Sequence, residues 1–71
     1  MEKTVTLKVD GMTNRHYVES VESALEETDG VKRIEINIDE TVIEVDYESD
    51  EISVDEIEEV IENQGFEVEK I

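Results

Sequence analysis

Apolar residues in this chain recur first at every second position, then at every third or fourth, and the two periods keep trading places. Residues 4 to 9, Thr-Val-Thr-Leu-Lys-Val, set Val5, Leu7 and Val9 on one face and Thr4, Thr6 and Lys8 on the other, the pattern of a half-buried strand. Asp10-Gly11 breaks the alternation, and Thr13 or Asn14 can cap a following helix through a side-chain oxygen. From Tyr17 onward Val18, Val21 and Leu25 share one helical stripe with Ala24 beside it, while Glu19, Glu22 and Glu26 are expected to face water. Asp29-Gly30 ends this helix, with Gly30 suited to the left-handed position after it.

Val31 to Ile38 alternates again through Ile34, Ile36 and Ile38, and Thr41 to Tyr47 does so through Ile43, Val45 and Tyr47. Asp39-Glu40 joins the two as an antiparallel hairpin, without the glycine that a tight primed turn favours. Ser53-Val54-Asp55-Glu56 reads as a capping box ahead of Ile57, Val60 and Ile61 at helical spacing. Asn63-Gln64-Gly65 stops that helix, and Phe66 and Val68 alternate with Glu67 and Glu69 as a last strand. The order β-α-β-β-α-β predicts an α+β, ferredoxin-like sandwich, a four-stranded antiparallel sheet with two helices on one face. Its 71 residues suffice for one core, so a single domain over 1–71 is expected. That core should gather Val5, Leu7, Val18, Val21, Leu25, Ile36, Ile43, Val45, Ile57, Val60, Ile61 and Val68.

Hydrophobic residues make up 37% of the chain and aromatics only 4%, so the core must be aliphatic. Against it stand 22 acidic and 6 basic residues, a formal net charge of -16. Such a surface repels nucleic acid and anionic membrane, and neither is expected as a partner. Low hydrophobicity with high charge also describes disordered chains, but periodicity throughout the sequence argues for a fold. No apolar run reaches the length of a membrane span or signal-peptide core, so a cytoplasmic protein is expected. There is no cysteine, hence neither a disulfide nor a thiolate metal site. The acidic runs at 46–51 and 55–59 lack the glycine and ligand spacing of a calcium loop and read as solvated faces.

Between the first strand and the first helix lies Gly11-Met12-Thr13-Asn14-Arg15-His16-Tyr17-Val18, where a small α/β module commonly presents a binding loop. Gly-Met-Thr ahead of an amphipathic helix resembles the loop of heavy-metal-associated domains, which reads Gly-Met-Thr-Cys-x-x-Cys. Asp29-Gly30-Val31, the alternating hairpin and Asn63-Gln64-Gly65-Phe66 carry the resemblance over essentially the whole chain. In the family's frame the two cysteines fall on Asn14 and Tyr17. The resemblance implies the ferredoxin-like fold and kinship with domains that carry copper or related ions to a transporter.

Monovalent copper prefers thiolate or thioether donors, whereas Asn14 offers an amide and Tyr17 a phenol. The family's methionine at the place of Met12 points into the core, and packing is the simpler reading of a lone methionine beside a helix. His16, the single histidine, is the best remaining ligand for zinc, copper(II) or nickel; with Met12 it forms the candidate metal site, a weak one. Arg15 could instead meet an anion at the helix N-terminus. Phe66 resembles the family aromatic that packs beside the loop, and Tyr17 would extend that apolar patch. Thr13, Asn14, Arg15, His16, Tyr17 and Phe66 therefore form the candidate partner-binding surface.

No enzyme is expected. Acylphosphatases share the split β-α-β plan and use a loop arginine with an asparagine, as Arg15 and Asn14 stand here, but this chain is short for that family and lacks its glycine-rich phosphate cradle. No nucleophile paired with a base appears elsewhere. The expected role is a monomeric interaction or regulatory module in metal handling, partnered by another protein such as a metal-transporter domain. The alternative is weak binding and transport of copper, zinc or nickel through Met12 and His16, with a loosely held transition-metal ion as the sole cofactor.

On the first predicted helix Glu19, Glu22 and Glu26 stack like charges at three- and four-residue spacing, as do Asp55–Glu59 and Glu58–Glu62 on the second. Each such pair costs about 0.2–0.5 kcal/mol. In about 1 M salt the screening length falls to roughly 3 Å and most of this repulsion disappears. The melting temperature should therefore rise steeply with KCl, the behaviour of a halophilic protein from a salt-accumulating host. A melting temperature unchanged between low and molar KCl would contradict the repulsion argument.

Overall fold

The computed structural model describes residues 1–12 and 14–71. Six elements follow in the expected order: β1 (Glu2–Asp10), α1 (Arg15–Glu26), β2 (Val31–Asn37), β3 (Val42–Glu48), α2 (Val54–Glu62) and β4 (Glu67–Lys70). The strands form one antiparallel sheet in the order β2-β3-β1-β4, so β3 and β1 are central while β2 and β4 are its edges. Both helices cover the same face, α1 against β2 and α2 against β4, and they also touch each other. This is the ferredoxin-like sandwich that the sequence predicts. No helix among the described residues is long and apolar enough to cross a membrane.

The strand registers line the alternating aliphatics into rows across the sheet. Ile36 faces Ile43, which faces Leu7; one row along, Ile34 faces Val45, which faces Val5. Onto these rows the helices lay Val21, Leu25, Ile57 and Ile61, all fully buried. Val9, Met12, Tyr47 and Ile52 join the enclosed core beyond the expected set, whereas Val5, Val18, Ile36, Val60 and Val68 are only partly covered. A two-layer domain this small has a large rim, and those five side chains lie on it.

Helix α1 begins at Arg15, and Asn14, with extended backbone, caps it as the sequence allowed. Three local details depart from the sequence expectation, each for a physical reason. The helix stops at Glu26 with Glu27 as its C-cap, and Thr28 Oγ1 donates to the Ala24 carbonyl at 2.8 Å. Gly30 consequently serves the approach to β2 rather than the helix end. The β2–β3 turn takes residues 38–41 instead of two: Asn37 Oδ1 accepts from the Glu40 amide at 3.1 Å and Thr41 adopts φ 54. Ile38 thereby leaves the strand and is exposed. Finally, β2 carries a bulge, with Val31 opposite Tyr47 and Arg33 opposite Asp46. The extra residue, Lys32, lets Val31 and Ile34 both reach the core despite their odd spacing.

Charge works against this packing. Glu2 faces Glu48, Glu35 faces Glu44 and Asp10 faces Glu67 directly across strands, a destabilising arrangement. The compensating ion pairs, Arg33–Glu35 at 3.4 Å and Lys70–Asp55 at 3.6 Å, are exposed and contribute little. The α-amino group of Met1 is held by Asp50 at 3.0 Å and Glu48 at 3.2 Å, and these hydrogen bonds raise its pKa above 8.0.

Gly30 and Gly65 have nearly the same backbone, φ +96 and φ +99, but different surroundings. A Cβ on Gly30 would lie 2.8 Å from Ile52 Cγ2 and 3.1 Å from Glu51 Cβ, whereas one on Gly65 would meet nothing within 4 Å. Gly65→Ala should cost only the backbone strain, about 1–3 kcal/mol. Gly30→Ala should add overpacking of about 1–3 kcal/mol more. Urea unfolding in molar KCl measures both; equal losses would contradict the close approach of the β3–α2 connection to Gly30.

Candidate binding loop

The turn out of β1 is built on two residues with opposite roles. Gly11 takes φ +92, a backbone that side chains rarely adopt, and swings the chain toward the helix layer. Met12 then plunges inward and is fully buried in the cluster that holds Leu7, Val9, Val21 and Leu25. The expectation for Thr13 falls outside the described residues. At Asn14 the backbone is extended, and its Oδ1 accepts from the Tyr17 amide at 3.1 Å, satisfying one of the free N–H groups that open α1.

With its amide oxygen committed to the helix, Asn14 leaves Arg15, His16 and Tyr17 as the exposed side chains of the first turn. Tyr17 is 43% exposed, yet its ring stands edge-to-face on Phe66 with centroids 5.5 Å apart and planes inclined by 70°. Such aromatic pairs contribute about 0.5–1.5 kcal/mol beyond area burial. Phe66 is half-buried just before β4 and runs alongside Gly11: a Cβ there would sit 3.5 Å from Phe66 Cδ1. Gly11, Tyr17 and Phe66 thus make one continuous apolar patch joining two ends of the chain. The sequence placed Tyr17 and Phe66 together; Gly11 as the backing of the patch was not foreseen, since a glycine advertises a turn and not the ring beside it.

Arg15 and His16 border different depressions, which share Glu19. Arg15 borders a depression with Val18, Glu19 and Ile36 on the β2 side, and His16 borders another with Ser20, Glu27 and Gln64. Arg15 lies at the positive end of the α1 dipole, and no acidic residue occupies that first turn. A cation there costs about 0.3–1 kcal/mol, so helix stability does not account for it. In α2 the first turn has Asp55 and Glu56, in accord with the dipole.

Met12 and His16, paired in the sequence as candidate metal ligands, are not brought together: the thioether is enclosed in the core while the imidazole is on an exposed flank. Among the described residues no three of His, Asp and Glu are grouped so that they could hold a metal ion.

The chain is thus a ferredoxin-like sandwich with an exposed strand-to-helix connection, anchored from beneath by buried Met12. This chain belongs to the heavy-metal-associated domain family, whose sequence model matches residues 6–67. It is 38% identical over 65 residues to the copper chaperone CopZ of Bacillus subtilis, covering 92% of this chain and 94% of that protein. With the copper chaperone CopZ of Staphylococcus haemolyticus it shares 39% identity over 62 residues, 87% of this chain and 91% of the relative. Among solved structures, a CopZ metallochaperone superposes with a TM-score of 0.91 at 33% identity over 94% of this chain and 100% of the other. A copper binding domain from HMA7, a P-type ATPase, superposes with a TM-score of 0.93 at 30% identity over 100% and 95%. Where the family motif has its two cysteines this chain has Asn14 and Tyr17, and it contains no cysteine at all.

Proposed function

We propose that this domain acts as an interaction or regulatory module in metal handling, docking on another protein through the surface of Thr13, Asn14, Arg15, His16, Tyr17 and Phe66 without carrying a thiolate-bound ion. The observation that supports this most directly is the fate of the two ligand places. Asn14 caps the start of α1 and the Tyr17 ring rests on Phe66, so each already has a partner within the chain. The donors that remain do not fit copper(I), because Met12 is enclosed and His16 is alone. What the loop offers instead is an exposed tyrosine on a phenylalanine with an arginine beside it, residue types that anchor protein interfaces. The stretch 11–18 also contains no acidic residue in a chain of net charge -16, so a partner meets there a run of the chain free of carboxylates. Its relatives are copper chaperones and a P-type ATPase domain, and a metal-binding domain of a transporting ATPase is accordingly the partner proposed here.

Amide NMR titration tests this. Adding such an ATPase domain should produce saturable shifts at residues 12–18 and at Phe66, whereas copper(I), zinc and nickel at micromolar concentration should leave them in place. Saturable local shifts with an ion alone, or silence with the domain, would contradict the proposal.

A further inference from the structure

Three connections of the chain lie at one end of the sandwich. β1 and β2 both run antiparallel to β3, and β4 runs antiparallel to β1. The loop after β1, the β2–β3 turn at 38–41 and the connection into β4 that carries Phe66 therefore share that end. Apart from the first and last residues, the large hydrophobic side chains exposed among the described residues are Tyr17 and Ile38, and both are found here. The patch of Gly11, Tyr17 and Phe66 leaves Ile38 out.

Ile38 is not an isolated surface residue. It borders a depression that includes Val18 and Ile36, both half-buried against the core. The remaining lining is Arg15 with Glu19 and Glu22, charges of both signs, so the depression selects no net charge and offers its apolar floor. The turn that carries Ile38 is tied to the strand leading into the loop, because the Val9 amide donates to the Thr41 carbonyl at 2.8 Å. Thr41 accepts that bond at φ 54, a left-handed backbone that a β-branched residue rarely adopts. Turn and loop are thereby joined through β1 into one surface.

The size of a specific protein contact decides whether one partner spans both. Three inter-strand spacings, about 14 Å, separate the strand before Ile38 from the strand after Phe66. A stable interface covers about 800 Å² of each partner, a disc on the order of 30 Å wide. A partner centred on Tyr17 and Phe66 with a contact of that size therefore covers the depression as well, whereas a contact confined to the aromatic pair falls far short of it. We infer that the docking surface extends over the β2–β3 turn, with Ile38 as its second apolar anchor, and that the partner domain seats an aliphatic side chain between Ile38 and Val18. This rests on the reading of the loop as a docking surface.

The test titrates the whole domain with the metal-binding domain of the ATPase and follows amides and isoleucine methyls by NMR. Besides the loop shifts at residues 12–18 and Phe66, saturable shifts should appear at residues 36–41, and the Ile38 methyls should show contacts to aliphatic protons of the partner. Ile38→Ser should weaken binding about tenfold, as loss of a covered apolar anchor does, while its melting temperature in molar KCl stays close to that of the parent. Ile71, 76% exposed and following the end of β4 remote from the loop, is the control, and Ile71→Ser should bind like the parent. Loop shifts without shifts at 36–41, or an Ile38→Ser variant that binds no worse than Ile71→Ser, would overturn the inference and leave the docking role of the loop standing. Concentration-dependent shifts at Val18 and Ile38 in the domain alone would give the surface to a second copy and overturn it as well. Silence at loop and turn alike would remove the reading of the loop and this inference with it.

Discussion

The burial of Met12 is the contact on which the presentation of the loop depends. A long, unbranched and polarizable side chain suits the irregular corner where β1 leaves the sheet, and there it is fully buried. Gly11 can then turn sharply because the next residue is anchored. Asn14 is delivered to the start of α1 in the extended conformation that an N-cap needs, and the first helical turn projects Tyr17 onto Phe66. Fully burying one such side chain contributes about 1.5–3 kcal/mol, which exceeds the roughly 1 kcal/mol of the cap and the similar value of the aromatic pair. The order of these magnitudes makes Met12, ahead of the cap and the aromatic pair, the principal anchor of the described part of the loop.

The remainder of the molecule balances a small aliphatic core against its own charge. Rows such as Ile36–Ile43–Leu7 bind the sheet to the helices, while on the open face Glu35 lies directly across from Glu44 with only the exposed Arg33 pairing it. Within each helix the first turn is tied locally, by Asn14 in α1 and by the Ser53–Glu56 capping box in α2. These caps act at the helix ends, where salt cannot replace them, whereas the repulsion along the helix faces is long-ranged and screened. Fold and electrostatics therefore respond to different variables.

The element order was legible because each period change coincides with a local signal, Asp10-Gly11 before the first helix and the Ser53 box before the second. Other features depended on partners distant in sequence. That Val31 and Ile34 both reach the core follows from a bulge at Lys32, which alternation alone cannot announce. Ile38 continues the strand pattern yet lies outside it, since the turn without glycine takes more residues. Ile52 stands between two acidic runs and nevertheless closes the core beneath Gly30, a contact seen only when residues 30 and 52 meet. At the loop, the side chains and their kinship were readable, but the separation of Met12 from His16 required the structure.

The account turns on one claim, that this loop keeps the shape of a soft-metal site while its side chains no longer bind the metal. Asn14→Cys combined with Tyr17→Cys restores the two thiols at the N-terminus of α1, where the helix dipole favours thiolate. Copper(I) competition against a chelator of moderate affinity, under reducing conditions, then compares this double variant with the parent chain. The account predicts one copper(I) per chain for the double variant and none retained by the parent. A parent that competes as well as the double variant, or a double variant that fails to bind, would contradict it.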